Sequence, residues 1–457
     1  MCPWSSGSLR SSPTYIVGTR RPALNARYAH ATRIYRSCRQ GVILGDIQIL
    51  TGLHTGRIRV LPASVPSPSA MTAPNPGTLD FLSTLIGFDT VSRNSNLGLI
   101  EWMRDYLRKL GVEPRLTYDA EGGKANLFAT LGDEQVPGLV LCGHTDVVPV
   151  DGQPWDTDPF KAELRGDRIY GRGSCDMKSF LACALAAAPR FLEGNLRQPL
   201  HLAFTYDEEV GSVGVTTLIR DLQQADIRPA GCIVGEPTSM QVMTGHKGIR
   251  VYRCRVRGVE AHSSLAPSAV NAIEYAARLV TFICSLAEEA QTAGPRDATF
   301  SVPFTTLQTG MIAGGTAPNI VPRDCEFQFD LRHLPGTDPD EIYARIERYA
   351  EHSLLPRMRA VSPEAGIRLE LLAEAPDLDT AEDDRMARLG TRLAGNTTTG
   401  RVGFATDGGH FHRAGVSTIV IGPGSIDQAH KPNEFITLEQ IARCEQFLSR
   451  LRDHLAQ

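Results

Sequence analysis

The chain has 457 residues, 42% hydrophobic and 21% charged, with a formal net charge of −4. That length suits about two or three domains, each with its own core, and the composition is that of an ordinary globular protein. The negative balance argues against nucleic acid as a partner, and no apolar run reaches the roughly 18 residues a membrane helix needs, so a membrane is not expected either.

Ten cysteines are scattered along the chain without a CxxC pair. Cys142, Cys183, Cys232 and Cys284 sit in apolar segments, where a free thiol behaves as a small hydrophobe. A reducing, cytoplasmic compartment is expected, without a disulfide framework or a thiolate zinc site.

Residues 1–75 differ from the rest. Arg10, Arg20, Arg21, Arg27, Arg33, Arg36, Arg39, Arg57 and Arg59 face a single acid, Asp46, with no lysine and no sustained periodicity. Three readings compete: a transit-like arm, a disordered basic tail, or an upstream extension before a start at Met71. The last is favoured, because Met71 is followed by Pro74, Pro76 and Gly77 and then a helical pattern. The region is expected to be disordered or irrelevant to chemistry.

Leu79, Phe81, Leu82, Leu85 and Ile86 predict a first helix, and Leu97–Leu110 a second. Strands follow at Ala125–Leu131 and Leu139–Cys142. The small residues of Gly171-Arg172-Gly173-Ser174-Cys175-Asp176 allow a tight turn into a helix burying Leu181, Leu185 and Leu192, which Pro189 should end or kink. Leu200–Tyr206 and Cys232–Val234 read as further strands. This alternation predicts an α/β fold, a mostly parallel sheet with helices on both faces.

Near Gly248 the character changes. Val251, Arg253 and Arg255 alternate with Tyr252, Cys254 and Val256, as in a half-exposed strand. A helix (270–286), strands at 304–312 and 320–331, a helix (339–350) and a strand (367–372) complete a βαββαβ order, a ferredoxin-like arrangement inserted into the first domain. Val416–Ile421 and a closing helix at 438–454 return to α/β character. The expected division is 76–249 with 375–457 around an inserted 250–374.

Several ligand-type residues fall at or just beyond predicted strand ends. His144 ends Leu139–Gly143, with Asp146 two residues on; Glu208 and Glu209 follow Tyr206; Glu236 follows Val234. Asp176 sits in the turn after Gly173, and His430 follows the insertion. Each has an ordinary explanation: Asp176 as a helix cap, Glu208 and Glu209 as a solvated strand end, Glu236 as a turn opener. Together at one sheet edge they are harder to dismiss, because unpaired carboxylates packed together repel. Two divalent cations resolve that repulsion, and mixed histidine and carboxylate ligation suits Zn²⁺ or Co²⁺. Held about 3.5–4 Å apart, such ions can share a bridging carboxylate and water. Of two adjacent glutamates, one can bind metal while the other moves protons.

The motifs GHTDVVP (143–149), GRGSCDMK (171–178), DEEVGS (207–212), VGEPTS (234–239), GHKG (245–248), AHSS (261–264), GGTAPNIVP (314–322), DLRHLPG (330–336) and GPGSIDQAHKPNE (422–434) carry a resemblance. From about residue 78 to 457 the chain resembles the dinuclear-zinc aminoacylase and desuccinylase family of metallopeptidases. The resemblance implies that His144 and Glu236 bind one metal, that Glu209 and His430 bind the second, and that Asp176 bridges both. It implies Asp146 as the partner of His144 and Glu208 as the general base acting on the bridging water. It also implies a cis peptide after Asp176, and an inserted domain serving as lid and dimerisation unit. His262 would reach across a homodimer to the oxyanion of the partner's site, and Asn319 and Arg332 would bind substrate, Arg332 through the α-carboxylate.

The implied activity is removal of an acyl group from an N-acyl-L-amino acid. VGEPTS with GHKG, and GPGSIDQAHKPNE, point within the family to N-acetyl-L-ornithine, a step in arginine synthesis. Desuccinylation of succinyl-diaminopimelate, a broad aminoacylase and a dipeptidase stay open, as does a non-catalytic binding protein, although the latter would have little reason to keep Glu208. Two departures stand out: His333 follows Arg332 where relatives commonly carry proline, and His410 and His412 offer a rival metal pair.

Overall fold

A computed structural model describes residues 73–457. The expectations for the N-terminal extension therefore lie, apart from its last three residues, outside the described residues.

The main sheet has nine strands among the described residues. Its centre is parallel: Leu200–Thr205, Leu139–His144, Gly231–Val234 and Thr418–Val420 lie side by side. These strands are buried along their whole length, as expected where helices cover both faces of a parallel sheet. Antiparallel strands extend one edge through Ala125–Leu131 to Arg115–Tyr118. Toward the other edge, Val242–His246 takes Leu378–Asp379 antiparallel and Thr399–Val402 parallel. One face packs on Pro76–Ile86, Lys178–Glu193 and Leu438–Leu455 through Leu82, Leu85, Phe180, Leu181, Phe447 and Leu451. The opposite face is sealed by Val215, Leu218, Leu222 and Phe411.

A second, four-stranded antiparallel sheet is built by residues lying in sequence between strands of the first. Its order is Thr306–Gly314, Asp324–His333, Gly248–Arg257, Gly366–Ala375. The alternation in its first strand is as the sequence suggests: Tyr252, Cys254 and Val256 are buried in a cluster with residues of Ala272–Thr292 and Pro339–Tyr349. The strand order is the ferredoxin-like one.

Pro189 does not end its helix, and one expected strand is divided in two. The helix Lys178–Glu193 runs four residues past Pro189. A proline at 189 leaves the carbonyl four residues earlier without its helical donor, and the Tyr106 hydroxyl donates to that Leu185 oxygen at 3.2 Å. The single strand expected over 320–331 is two: Ile320–Val321 pairs with Ala261–His262, and Asp324–His333 joins the four-stranded sheet. Pro322, lacking an N–H, stands between them.

Candidate active site

Three adjacent parallel strands deliver the ligand-type residues at their carboxyl ends, the usual place for a site in such a sheet. Leu139–His144 ends on His144, Leu200–Thr205 leads into Asp207-Glu208-Glu209, and Gly231–Val234 leads into Gly235-Glu236. Two glycines make room for this. A Cβ on Gly143 would come within 2.8 Å of Met177 and Leu181, and one on Gly235 would enter the Phe180 ring. The residues before His144 and Glu236 are thus pressed onto the helix that follows Asp176. The Asp176–Met177 peptide is cis.

The carboxylate of Asp176 faces both ways. Its Oδ1 lies 3.0 Å from His144 Nε2, and its Oδ2 lies 3.3 Å from His430 Nε2. Glu236 Oε1 is 3.8 Å from His144 Nε2, and Glu209 Oε2 is 3.0 Å from His430 Nε2. Two clusters result, one of His144 with Glu236 and one of His430 with Glu209, sharing Asp176. One potential ligand atom each from His144, Glu208 and Glu236 also lies within 4.8 Å of the others.

The orientation of His144 is fixed from outside. His144 Nδ1 donates to the backbone carbonyl of Asp146 at 2.9 Å, which leaves Nε2 to face the carboxylates. The Asp146 carboxylate is 3.7 Å from that imidazole; it instead accepts the backbone N–H groups of Glu208 and Glu209 and the Ser92 hydroxyl. Asp207, with a left-handed φ of 55°, is anchored by its carboxylate to Lys124 Nζ.

Burial, with the charges of neighbouring carboxylates, pushes Glu208 and Glu236 well above the ordinary carboxylate range, and it pushes Glu209 up to about 7. Burial also opposes ionisation of Asp176, but hydrogen bonds from His144 and His430 hold it low. His430 is raised to about 10 by its hydrogen bonds to Asp176 and Glu209. Four carboxyl groups held this close without lysine or arginine among them call for cations. Glu209 Oε1, buried and without a hydrogen-bond partner among the described residues, is a free donor atom for one. The donor set of two imidazoles and several carboxylates fits a pair of transition-metal-type divalent ions better than Mg²⁺ or Ca²⁺.

These groups open onto a cleft of about 360 Å³ lined also by Val210, Ile249, Val251, Phe404, Ile426 and Arg332. The Arg332 side chain bonds Asp330 at 3.0 Å and reaches the Gly403 carbonyl at 3.5 Å. His262 and Asn319 do not line this cleft. His262 is exposed, with Nδ1 2.8 Å from Ser264 Oγ; Asn319 is exposed too, its carbonyl accepting the Ser263 N–H. The rival pair His410 and His412 joins no potential metal-binding group among the described residues.

Residue-by-residue reading of the sequence passed over Asp407 and the pair Arg172 and Glu434. Asp407 is buried behind His144, accepting from Thr205 Oγ1 at 2.7 Å, and burial raises it to about 6. It stands in the segment noted only for its histidines. Arg172 and Glu434 stand within motifs noted for Asp176 and His430.

The model of peptidase family M20/M25/M40 matches residues 140–454. The acetylornithine deacetylase of Pasteurella multocida is 33% identical over 389 residues, covering 82% of this chain and 97% of that protein. The acetylornithine deacetylase of Myxococcus xanthus is 33% identical over 383 residues, covering 82% and 96%. An M20 family metallo-carboxypeptidase from Sulfolobus solfataricus has a solved structure of the same fold, with a TM-score of 0.65 at 20% identity over 82% of this chain and 99% of that one. The motif resemblance and the sheet architecture thus meet in one assignment: the chain belongs to peptidase family M20/M25/M40, a family of metal-dependent hydrolases.

Proposed function

We propose that the protein is a two-metal amidohydrolase that removes the acetyl group from N-acetyl-L-ornithine, giving ornithine and acetate. The observation that carries the reading is Asp176, whose two oxygens face His144 and His430 separately, each histidine with its own glutamate. The substrate is taken from the deacetylases that the chain resembles along nearly their whole length.

His144 and Glu236 would hold one cation, Glu209 and His430 the other, with Asp176 between. Zn²⁺ or Co²⁺ bound there supplies polarisation of the acyl carbonyl and a more acidic water. Glu208 lies beside His144 and Glu236 and is not needed as a ligand. Its carboxylate takes a proton from the attacking water and delivers it to the leaving amine. The Arg332 guanidinium, at the cleft wall, receives the substrate's α-carboxylate in its fork. Val210, Ile249, Phe404 and Ile426 give the cleft apolar walls beside the bond being broken.

His262 acts in this reading from a second copy of the chain and Asn319 contributes to substrate binding; neither is among the residues lining the cleft of its own chain. A cytoplasmic homodimer acting in arginine biosynthesis completes the proposal. Among the described residues no helix is long and apolar enough to cross a membrane.

The test is kcat/KM of the metal-loaded protein on N-acetyl-L-ornithine, N-succinyl-LL-diaminopimelate and N-acetyl-L-methionine, with a chelated control. A preference of about a hundredfold for acetylornithine, roughly 2.7 kcal/mol of transition-state discrimination, is expected. Comparable rates on all three would mean a broad aminoacylase. No metal-dependent turnover on any would leave dipeptides, and then a binding role.

A further inference from the structure

A buried ion pair outside the ligand set joins the loops that carry Asp176 and His430. Arg172 and Glu434 are each about 1% exposed, and Arg172 Nη1 lies 2.7 Å from Glu434 Oε2. The other oxygen of Glu434 accepts the backbone N–H groups of Cys175 and Asp176 at 2.8 and 3.0 Å. Arg172 continues the connection through Nη1 to the Lys431 carbonyl at 3.2 Å, and through Nη2 to Gln153 Oε1 at 2.6 Å. Gln153 in turn donates to the His430 carbonyl at 3.2 Å. The Trp155 ring lies 5.1 Å from the guanidinium carbon.

The two halves of the site are therefore supported differently. His144 and Glu236 extend from neighbouring strands of the parallel sheet, where the ladder of hydrogen bonds fixes their spacing. His430 lies outside any strand, and the nearest ladder begins five residues later, where Phe435–Thr437 pairs with Arg168–Tyr170. Its side chain is 54% exposed, its φ is 61°, and its loop is tied down by Gln153, by Arg172, and by Asn433, which pairs with Asp156. Among the described residues, Glu434, held by Arg172, is the side chain of that loop that reaches the backbone N–H of Asp176.

We propose that Arg172 and Glu434 are positioning residues, their ion pair setting the separation of Asp176 from His430 and so the affinity of the Glu209–His430 side for its cation. The inference rests on the two-cation reading above. A fork-shaped guanidinium is needed because it meets Glu434, Gln153 and a carbonyl together, which a lysine ammonium on its thin stem does not.

The experiment titrates Co²⁺ into chelator-treated full-length protein, followed by its visible absorption and by calorimetry, for wild type, E434Q and R172K, with thermal melts confirming the fold. Wild type is expected to bind two ions. In both variants the first ion binds nearly as in wild type, and the second is weakened on the order of 10- to 100-fold, the usual effect of removing a group that orients a ligand. The bands of the second ion shift, while KM at saturating Co²⁺ stays near wild type. Two ions bound by a folded variant as in wild type would overturn the proposal, and so would equal weakening of both. If E434Q does not fold, R172K carries the same expectation and the same refutation. A wild-type protein that takes up no pair of ions would overturn the metal reading itself.

Discussion

The carboxylate of Asp146 accepts the backbone N–H of Glu208 at 3.1 Å and, through its other oxygen, that of Glu209 at 3.3 Å. With the Ser92 hydroxyl at 2.7 Å it has three donors and is buried. One side chain on the His144 loop thus fixes where the proposed base and a proposed ligand leave the neighbouring strand. In Asp146→Asn one acceptor oxygen becomes an NH₂ facing a backbone N–H. The expected result is a 10- to 100-fold loss in kcat with KM nearly unchanged. Steady-state kinetics with metal analysis checks this; an unchanged kcat would show that the backbone of Glu208 is held without Asp146.

Glu208→Gln removes the proton acceptor while keeping size and burial. General acid–base groups contribute about 10²- to 10⁴-fold, so most turnover should disappear. Metal content and melting temperature should stay near those of wild type, because the His144 side keeps Glu236 and Asp176 as its carboxylates. Full activity in this variant would sink the base assignment; loss of metal would make Glu208 a ligand.

Much of this was legible in the sequence, and the limits have physical causes. The apolar runs ending in Gly143-His144 and Gly235-Glu236 announce the strands and the candidate site at their ends, because a strand that stops on a ligand-type residue leaves a local signal. Pro189 misleads because the rescue of the Leu185 carbonyl comes from Tyr106, 79 residues away in sequence. The single strand expected over 320–331 misleads because a half-buried alternation continues across Pro322 into two strands that pair with different partners. Asp146 is visible as a carboxylate near His144, but its hydrogen bonds to Glu208 and Glu209 are made across the sheet. The Arg172–Glu434 pair spans 262 residues, a distance over which pattern carries no information.

His262 lies on Ala261–His262, paired with Ile320–Val321, outside the cleft of its own chain. If it serves the site of a second copy, His262→Ala and Glu208→Gln proteins complement each other. A mixed dimer regains one intact site, with Glu208 from one subunit and His262 from the other. After random exchange of equal amounts, activity should rise from near zero to about a quarter of wild type, since half the dimers are mixed and each has one working site of two. Exchange is verified by differently tagged subunits. Mixed dimers without activity would place the whole site within one chain.

His201, near the start of the strand that leads into Glu208, provides a pH test outside the candidate cation site. It is buried on Leu200–Thr205, stacked on Phe128 and 3.0 Å from Thr130 Oγ1, and burial pushes its pKa down to about 4. An unfolded histidine titrates near 6.5. Between these values the unfolded chain binds a proton that the folded chain refuses, so stability rises with pH across this window. Acidification from pH 7.5 to 5 should therefore cost roughly 2 kcal/mol through this residue alone. Denaturant unfolding at the two pH values, compared between wild type and His201→Gln, isolates the effect from every other titrating group. The variant should lose about 2 kcal/mol less than wild type on acidification, whatever its starting stability. Equal losses would mean that the folded protein accommodates the charged imidazole, through movement of the Thr130 hydroxyl or entry of water beside the ring.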